Sequence, residues 1–171
     1  MNGTRKGHRP ARFTVGGLGL VALLLAALLG VLLVVRDHRT NPGLSPREQA
    51  AVDAASREMI NLQTFRLAHF DADFVRARSG LTGDLLKAFT PKKAALHEGL
   101  VNSKLDTSAS VTQAAFEQTK GSNAVVLVTM NNYRVDARGK QTLFDSGRFE
   151  VTVTDVRGTW LASNLTSVGL M

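Results

Sequence analysis

The chain has 171 residues, no cysteine, and 21 Lys and Arg against 14 Asp and Glu, a formal charge of +7. The missing cysteines exclude disulfides, thiol catalysis and thiolate metal sites. The charge does not indicate nucleic acid: four of the basic residues crowd the first 12 positions, the others are scattered among acids, and only Trp160 and Tyr133 join the phenylalanines as stacking platforms.

Residues 1–12 form a basic tail carrying Arg5, Lys6, Arg9 and Arg12 and no acid. Residues 13–35, Phe13 to Val35, then run for 23 positions without a charge. A helix rising ~1.5 Å per residue over that length covers the ~30 Å hydrocarbon core of a bilayer, so a single transmembrane helix is expected here. The four basic residues determine its direction, because the following Arg36-Asp37-His38-Arg39 is less positive; the tail is expected in the cytoplasm and the rest of the chain outside the membrane. A cleaved signal peptide also has a basic head, but its apolar part is ~7 to 15 residues long, and no small-x-small site follows Val35. Gly19, Ala22, Ala26 and Gly30 share one face of the helix, where a partner helix could approach closely; such residues are also common filler in leucine-rich spans.

Residues 36–44 read as a linker, with Asn41-Pro42-Gly43 supplying turn chemistry. The domain is expected over 45–171. Ser45-Pro46-Arg47-Glu48 marks a helix start, with Ser45 as N-cap, Pro46 in the first turn and Glu48 placed to reach back. That helix is expected to reach about Leu67, burying Val52, Ala55, Met59 and Leu62, with Arg47, Asp53, Arg57 and Glu58 mostly elsewhere. A short second helix starts near Asp71 and Asp73, whose charges suit its N-terminal dipole, and Ser79-Gly80 stops it. Two residues apart, these carboxylates do not share a helical face, which argues against an acid/base pair. Thr82-Gly83-Asp84 opens a third helical stretch from Leu85 to about Asn102, with Pro91 allowing a break near Thr90. His69 and His97 lack metal-ligand spacing, and no metal or cofactor site is expected.

After Lys104 the pattern changes to alternation. Strands are expected over Leu105 to Thr119, Asn123 to Val135, Leu143 to Val156 and Thr159 to Ser167. In the third, Phe149, Val151 and Val153 alternate with charged and hydroxyl residues, as in a sheet covered on one face. Asp136-Ala137-Arg138-Gly139 and Asp155-Val156-Arg157-Gly158 read as type I turns, and Lys120-Gly121-Ser122-Asn123 serves the remaining corner. Helices followed by four strands of a meander indicate an α+β domain with helices packed on a curved antiparallel sheet, and Trp160 is expected to plug its core near the end of the last strand.

The tail and span, the helices EQAAVDAASREMINLQTF and DADFVRARSGLTGDLLKAF, and the strands NAVVLVTMNNYRV and FEVTVTDVRGTWLASNL together resemble the Mce-associated membrane proteins. The resemblance covers nearly the whole chain to Leu165. It rests on the order of elements and on two short stretches, Leu81-Thr82-Gly83-Asp84 and Gly158-Thr159-Trp160-Leu161. It implies a cone-shaped, NTF2-like extracytoplasmic domain and a non-enzymatic accessory or assembly role beside Mce-type lipid importers, whose subunits, or other membrane proteins, would be its partners along with the lipid bilayer. The resemblance carries no catalytic residue. The alternative is a tethered cone that binds a small apolar ligand or acts on it, for which Tyr133, Asp71, Asp73 and His69 are the candidate polar groups.

Overall fold

The computed structural model describes residues 43–170. The basic tail with Arg5, Lys6, Arg9 and Arg12, the apolar stretch 13–35 with Gly19, Ala22, Ala26 and Gly30, and most of the linker lie outside them. Among the described residues no helix is long and apolar enough to cross a membrane.

Ser45 opens helix α1, Pro46–Gln63, with both halves of a capping box: its Oγ accepts from the Glu48 N–H at 3.3 Å, and the Glu48 carboxylate accepts from the Ser45 N–H at 2.7 Å. These bonds satisfy two of the backbone donors that a helix start leaves without partners, and they hold the Glu48 carboxyl below its usual range. One face of α1 buries Ala51, Val52, Ala55 and Met59. The helix ends four residues short of the expected Leu67. Thr64 turns extended, and Phe65 exchanges backbone hydrogen bonds with Thr107 at 3.2 and 2.9 Å, so the sheet edge claims the groups that another helical turn would have used.

A 3-10 turn, Leu67–His69, leads into α2, Phe70–Ser79. Helix α3 covers Gly83–Phe89, Pro91 forces a 3-10 turn at Thr90–Lys92, and α4 covers Lys93–Ser103. The break at Thr90 agrees with the sequence expectation. Strands β1 (Asp106–Lys120), β2 (Asn123–Val135), β3 (Gln141–Val156) and β4 (Thr159–Leu170) form one antiparallel sheet in the order β1-β2-β3-β4.

The turns differ in one respect from the reading of the sequence. The β2–β3 connection does bond the Gly139 N–H to the Asp136 carbonyl, at 2.9 Å, with Gly139 at φ +80°. In the β3–β4 connection, however, Val156 pairs with Thr159, and the two-residue loop Arg157-Gly158 has φ +55° and +86°. That is the I′ geometry, whose twist matches the flanking strands; the Asp155 carboxylate accepts the Gly158 N–H at 2.7 Å instead of heading a type I turn.

Ala124, Val126, Val128 and Met130 of β2 and Val151 and Val153 of β3 all face the helices with at most 1 % exposure. Met59, Phe70, Phe74 and Leu81 meet them from the helical side, and Phe74 stacks on Phe89 with centroids 5.0 Å apart. Helix α1 lies across the sheet and touches all four strands. Trp160 differs from its expected role: it stands at the start of β4, half-buried against the core, with the Arg47 guanidinium 5.4 Å above its ring.

Candidate functional site

The two short stretches on which the resemblance rests are neighbours in space. Leu81 forms a parallel bridge with Ala162 of β4; the Thr82 N–H donates to the Ala162 carbonyl and the Ala162 N–H to the Gly80 carbonyl, both at 2.8 Å. Of the motif residues, Leu81 is buried at 3 % exposure, whereas Thr82, Trp160 and Leu161 are half-buried around the seam. Gly83 stands at φ +58°, a left-handed conformation that costs glycine little. Asp84 is exposed and pairs with Lys87 at 2.8 Å.

Beneath this seam sits Glu58 of α1, 4 % exposed. A Cβ at position 80 would fall on its carboxylate, so glycine at 80 is what lets the loop lie over the acid. Asn61 donates to Glu58 Oε2 at 3.2 Å, while Oε1 has no hydrogen-bond partner. Burial pushes the Glu58 carboxyl up to about 7, against the lowering influence of the Asn61 bond and then of the Arg57 and Arg76 charges. A cleft of about 350 Å³ opens beside it, walled by Arg57, Arg76, Ser79, Thr159 and Trp160.

The network continues through Arg76, which donates to the Asn61 side chain at 3.1 Å and the Thr64 carbonyl at 2.9 Å. It also pairs with Asp73, which is fully buried. The Asp73 carboxylate accepts from Arg66 three times, from the backbone N–H at 2.9 Å and from Nε and a terminal nitrogen at 3.1 and 2.8 Å. Burial alone would raise the Asp73 carboxyl; the bonds from Arg66 and then Arg76 outweigh it and hold the group well below the usual carboxylate range. This chain of polar groups ties the end of α1 to α2. Its chemistry is positional: apart from Glu58 Oε1 and Thr64 Oγ1, which have no partner, its groups hold the end of α1 and the following turn against α2.

The four candidates for a ligand-binding cone are not brought together. His69 and Asp71 line an open groove of about 820 Å³ with Phe70, Pro91, Lys93 and His97. Within it Asp71 pairs with Lys93 at 2.7 Å, and the hydrogen bond and charge of that lysine hold its carboxyl down. Asp73 is sealed in the network described above. Tyr133 lies on the uncovered face of the sheet, out of step with the buried row of β2, where its hydroxyl is 3.4 Å from Ser110 Oγ and from Asn131 Nδ2. Those two bonds, that of Ser110 first, lower the Tyr133 pKa.

Sequence reasoning missed Glu58, Asn61, Arg66, Arg76 and Gly80. For Glu58 a signal was present: Ala54 and Ala55, four and three residues earlier, are both buried, and helical spacing puts Glu58 on the same sector. For Arg76 the signal was its i,i+3 spacing from Asp73 on α2, whereas for Arg66 there was none, since its approach to Asp73 is fixed by the fold.

The fold is NTF2-like. Solved structures that share it include an IcmL-like type IV secretion system protein from Legionella pneumophila (TM-score 0.59, 11% identity, 75% of this chain and 95% of that one) and the periplasmic domain of DotI (TM-score 0.57, 12% identity, 74% and 98%). In sequence the chain is 31% identical over 133 residues to Rv1362c of Mycobacterium tuberculosis, a match that spans 77% of this chain and 59% of the relative. Its match over residues 15–168 establishes that the chain belongs to the family of uncharacterized proteins described as Rv1363c/MT1408-like.

Proposed function

We propose that this chain is a membrane-anchored, non-enzymatic accessory or assembly protein of an Mce-type lipid import system, with its folded domain outside the cytoplasmic membrane. The observation that carries the reading is the filled interior. Where a ligand-binding cone would need space between helices and sheet, Met59, Met130, Val126, Val128, Val151 and Val153 occupy it at no more than 1 % exposure. A domain packed in this way works through its surface. The uncharged stretch from Phe13 to Val35 supports the anchor. The extracytoplasmic placement is supported by the charge of the tail and by the likeness to a domain described as periplasmic. The Mce link rests on the resemblance of the Leu81–Asp84 and Gly158–Leu161 stretches.

A ligand-binding role is favoured by one feature, the open groove with His69, Asp71 and His97. Its carboxylate is already paired with Lys93, however, and its polar groups lie at the protein surface, not around an enclosed apolar space.

Crosslinking of the full chain in native membranes, followed by identification of the captured proteins, tests the proposal. Importer subunits are the expected partners. Their absence from a crosslinked set that contains other membrane proteins overturns the Mce assignment and leaves a stalk for a different assembly.

A further inference from the structure

The two ends of the domain differ in what they expose. Arg47, in the first turn of α1, pairs with Asp155 at 3.1 Å, and the Asp155 N–H donates to the Ser122 carbonyl at 2.8 Å. The chain therefore enters the domain at the end that carries the β1–β2 and β3–β4 turns. The β2–β3 hairpin, the start of β1 and the Leu67–His69 turn lie at the opposite end, away by the length of the 13-residue β2, roughly 40 Å.

That far end is apolar and basic. Leu67, Leu143 and Phe144 are 41, 57 and 60 % exposed. Phe144 owes its position to a β-bulge: Asn132 pairs with Asp145 and Tyr133 with Leu143, so Phe144 is the extra residue and the strand re-aims it. Its ring lies 3.9 Å from the guanidinium of Arg134. Between the hairpin and the 3-10 turn runs a groove of about 420 Å³, lined by Leu67, Ala68, Val135 and Ala137 and by the charged side chains of Lys104, Asp106 and Asp136.

The charges there are unequal in availability. Asp106 accepts the Leu67 N–H at 2.8 Å, and Asp136 accepts the N–H groups of Arg138 and Lys140, each at 2.9 Å, so these acids serve the fold. The side chains of Lys104, Arg138 and Lys140 are exposed, and no ion pair holds them among the described residues.

From this juxtaposition we infer that the far end, with the β2–β3 hairpin tip and its groove, is the docking surface for a partner protein that presents an apolar side chain ringed by Asp and Glu. The groove and Phe144 take the apolar part, and Arg134, Lys104, Arg138 and Lys140 meet the acidic ring. The inference rests on the proposed partner-binding role and specifies its surface.

The chain has no cysteine, so Phe144→Cys and Val156→Cys each give one attachment point for a photo-crosslinker on the full-length protein in native membranes. Val156, 38 % exposed at the entry end, serves as the control. The expected result is a protein adduct from position 144 whose crosslinked peptide is rich in Asp, Glu and apolar residues, with little adduct from position 156. Arg138→Glu combined with Lys140→Glu should reduce its yield about tenfold, with an unchanged unfolding midpoint. An adduct twice the size of the chain, adducts to lipid only, no adduct, equal yield from both positions, or indifference to charge reversal overturns the inference. Capture of an acidic partner that is not an importer subunit sinks the Mce assignment and leaves the surface standing. Importer subunits captured only through other positions do the reverse.

Discussion

Glu58 is ionisable, nearly sealed from water and only half satisfied, which makes it the residue whose chemistry most affects the fold. In the unfolded chain its carboxyl titrates near 4.5, and in the fold burial moves it to about 7. The folded state thus prefers the protonated acid. Its contribution to stability is complete below pH 4.5 and is lost as pH rises through about 7, a total change of about 3 kcal/mol before relaxation of the site. Glu58→Gln keeps the shape and removes the charge. Thermal unfolding should then show a higher midpoint than the parent at about pH 8 and little dependence on pH above about 5, whereas an unchanged slope would mean that Glu58 ionises freely in the fold. Asp73 has the opposite sign: held low by Arg66 and Arg76, it stabilises the fold above the ordinary carboxylate range and loses that contribution in acid. The sequence reading put Glu58 away from the buried face of α1, although its spacing from Ala54 and Ala55 places it on that sector. The sequence assigned Asp73 to a helix terminus, which is where it lies, and Arg76 follows it by one turn of the same helix, but the contact with Arg66 depends on how the chain turns back over α2 after α1.

At the level of elements, the seam between the Gly80–Thr82 loop and β4 is a short added strand laid over Glu58. Gly80→Ala would place a methyl group against the Glu58 carboxylate and should cost about 1–3 kcal/mol, with faster hydrogen exchange at the Thr82 and Ala162 amides. Adding Glu58→Ala should restore most of the loss; if the two costs simply add, the loop and the acid are not in contact. The existence and order of the elements were legible because capping, proline position and alternation are local signals. Ser45, Pro46 and Glu48 set the start of α1, Pro91 set the break after α3, and the β2 and β3 rows set the buried face. The end of α1 was not legible, since Phe65 leaves the helix to pair with Thr107, 42 residues away. The I′ loop at Arg157-Gly158 was missed because Asp155 and Gly158 also fit a type I turn, and the choice between them follows from strand register.

On the scale of the whole molecule, helices followed by a four-stranded meander predicted the layered α+β architecture that was found. The resemblance carried the step from that architecture to an NTF2-like fold; periodicity alone does not distinguish a cone from a flat sheet. The anchoring role makes a prediction for the intact chain. Membranes washed with alkaline carbonate should retain it at full length, because a span made of the 23 uncharged residues would not be displaced by pH or salt. Recovery of a shortened, water-soluble chain would remove the tether and with it the proposed role.

The bridges at Thr107 and Ala162 have a bearing on how copies behave when crowded. Strands β1 and β4 are the two borders of the sheet, and each is engaged at one point by a loop from the helical layer, Phe65 on the first and Leu81 on the second. A border already occupied in this way offers a shorter run of open amides and carbonyls to a second sheet. Proteins gathered at high density would therefore resist joining edge to edge into aggregates, and loosening either loop would be the route by which they start to.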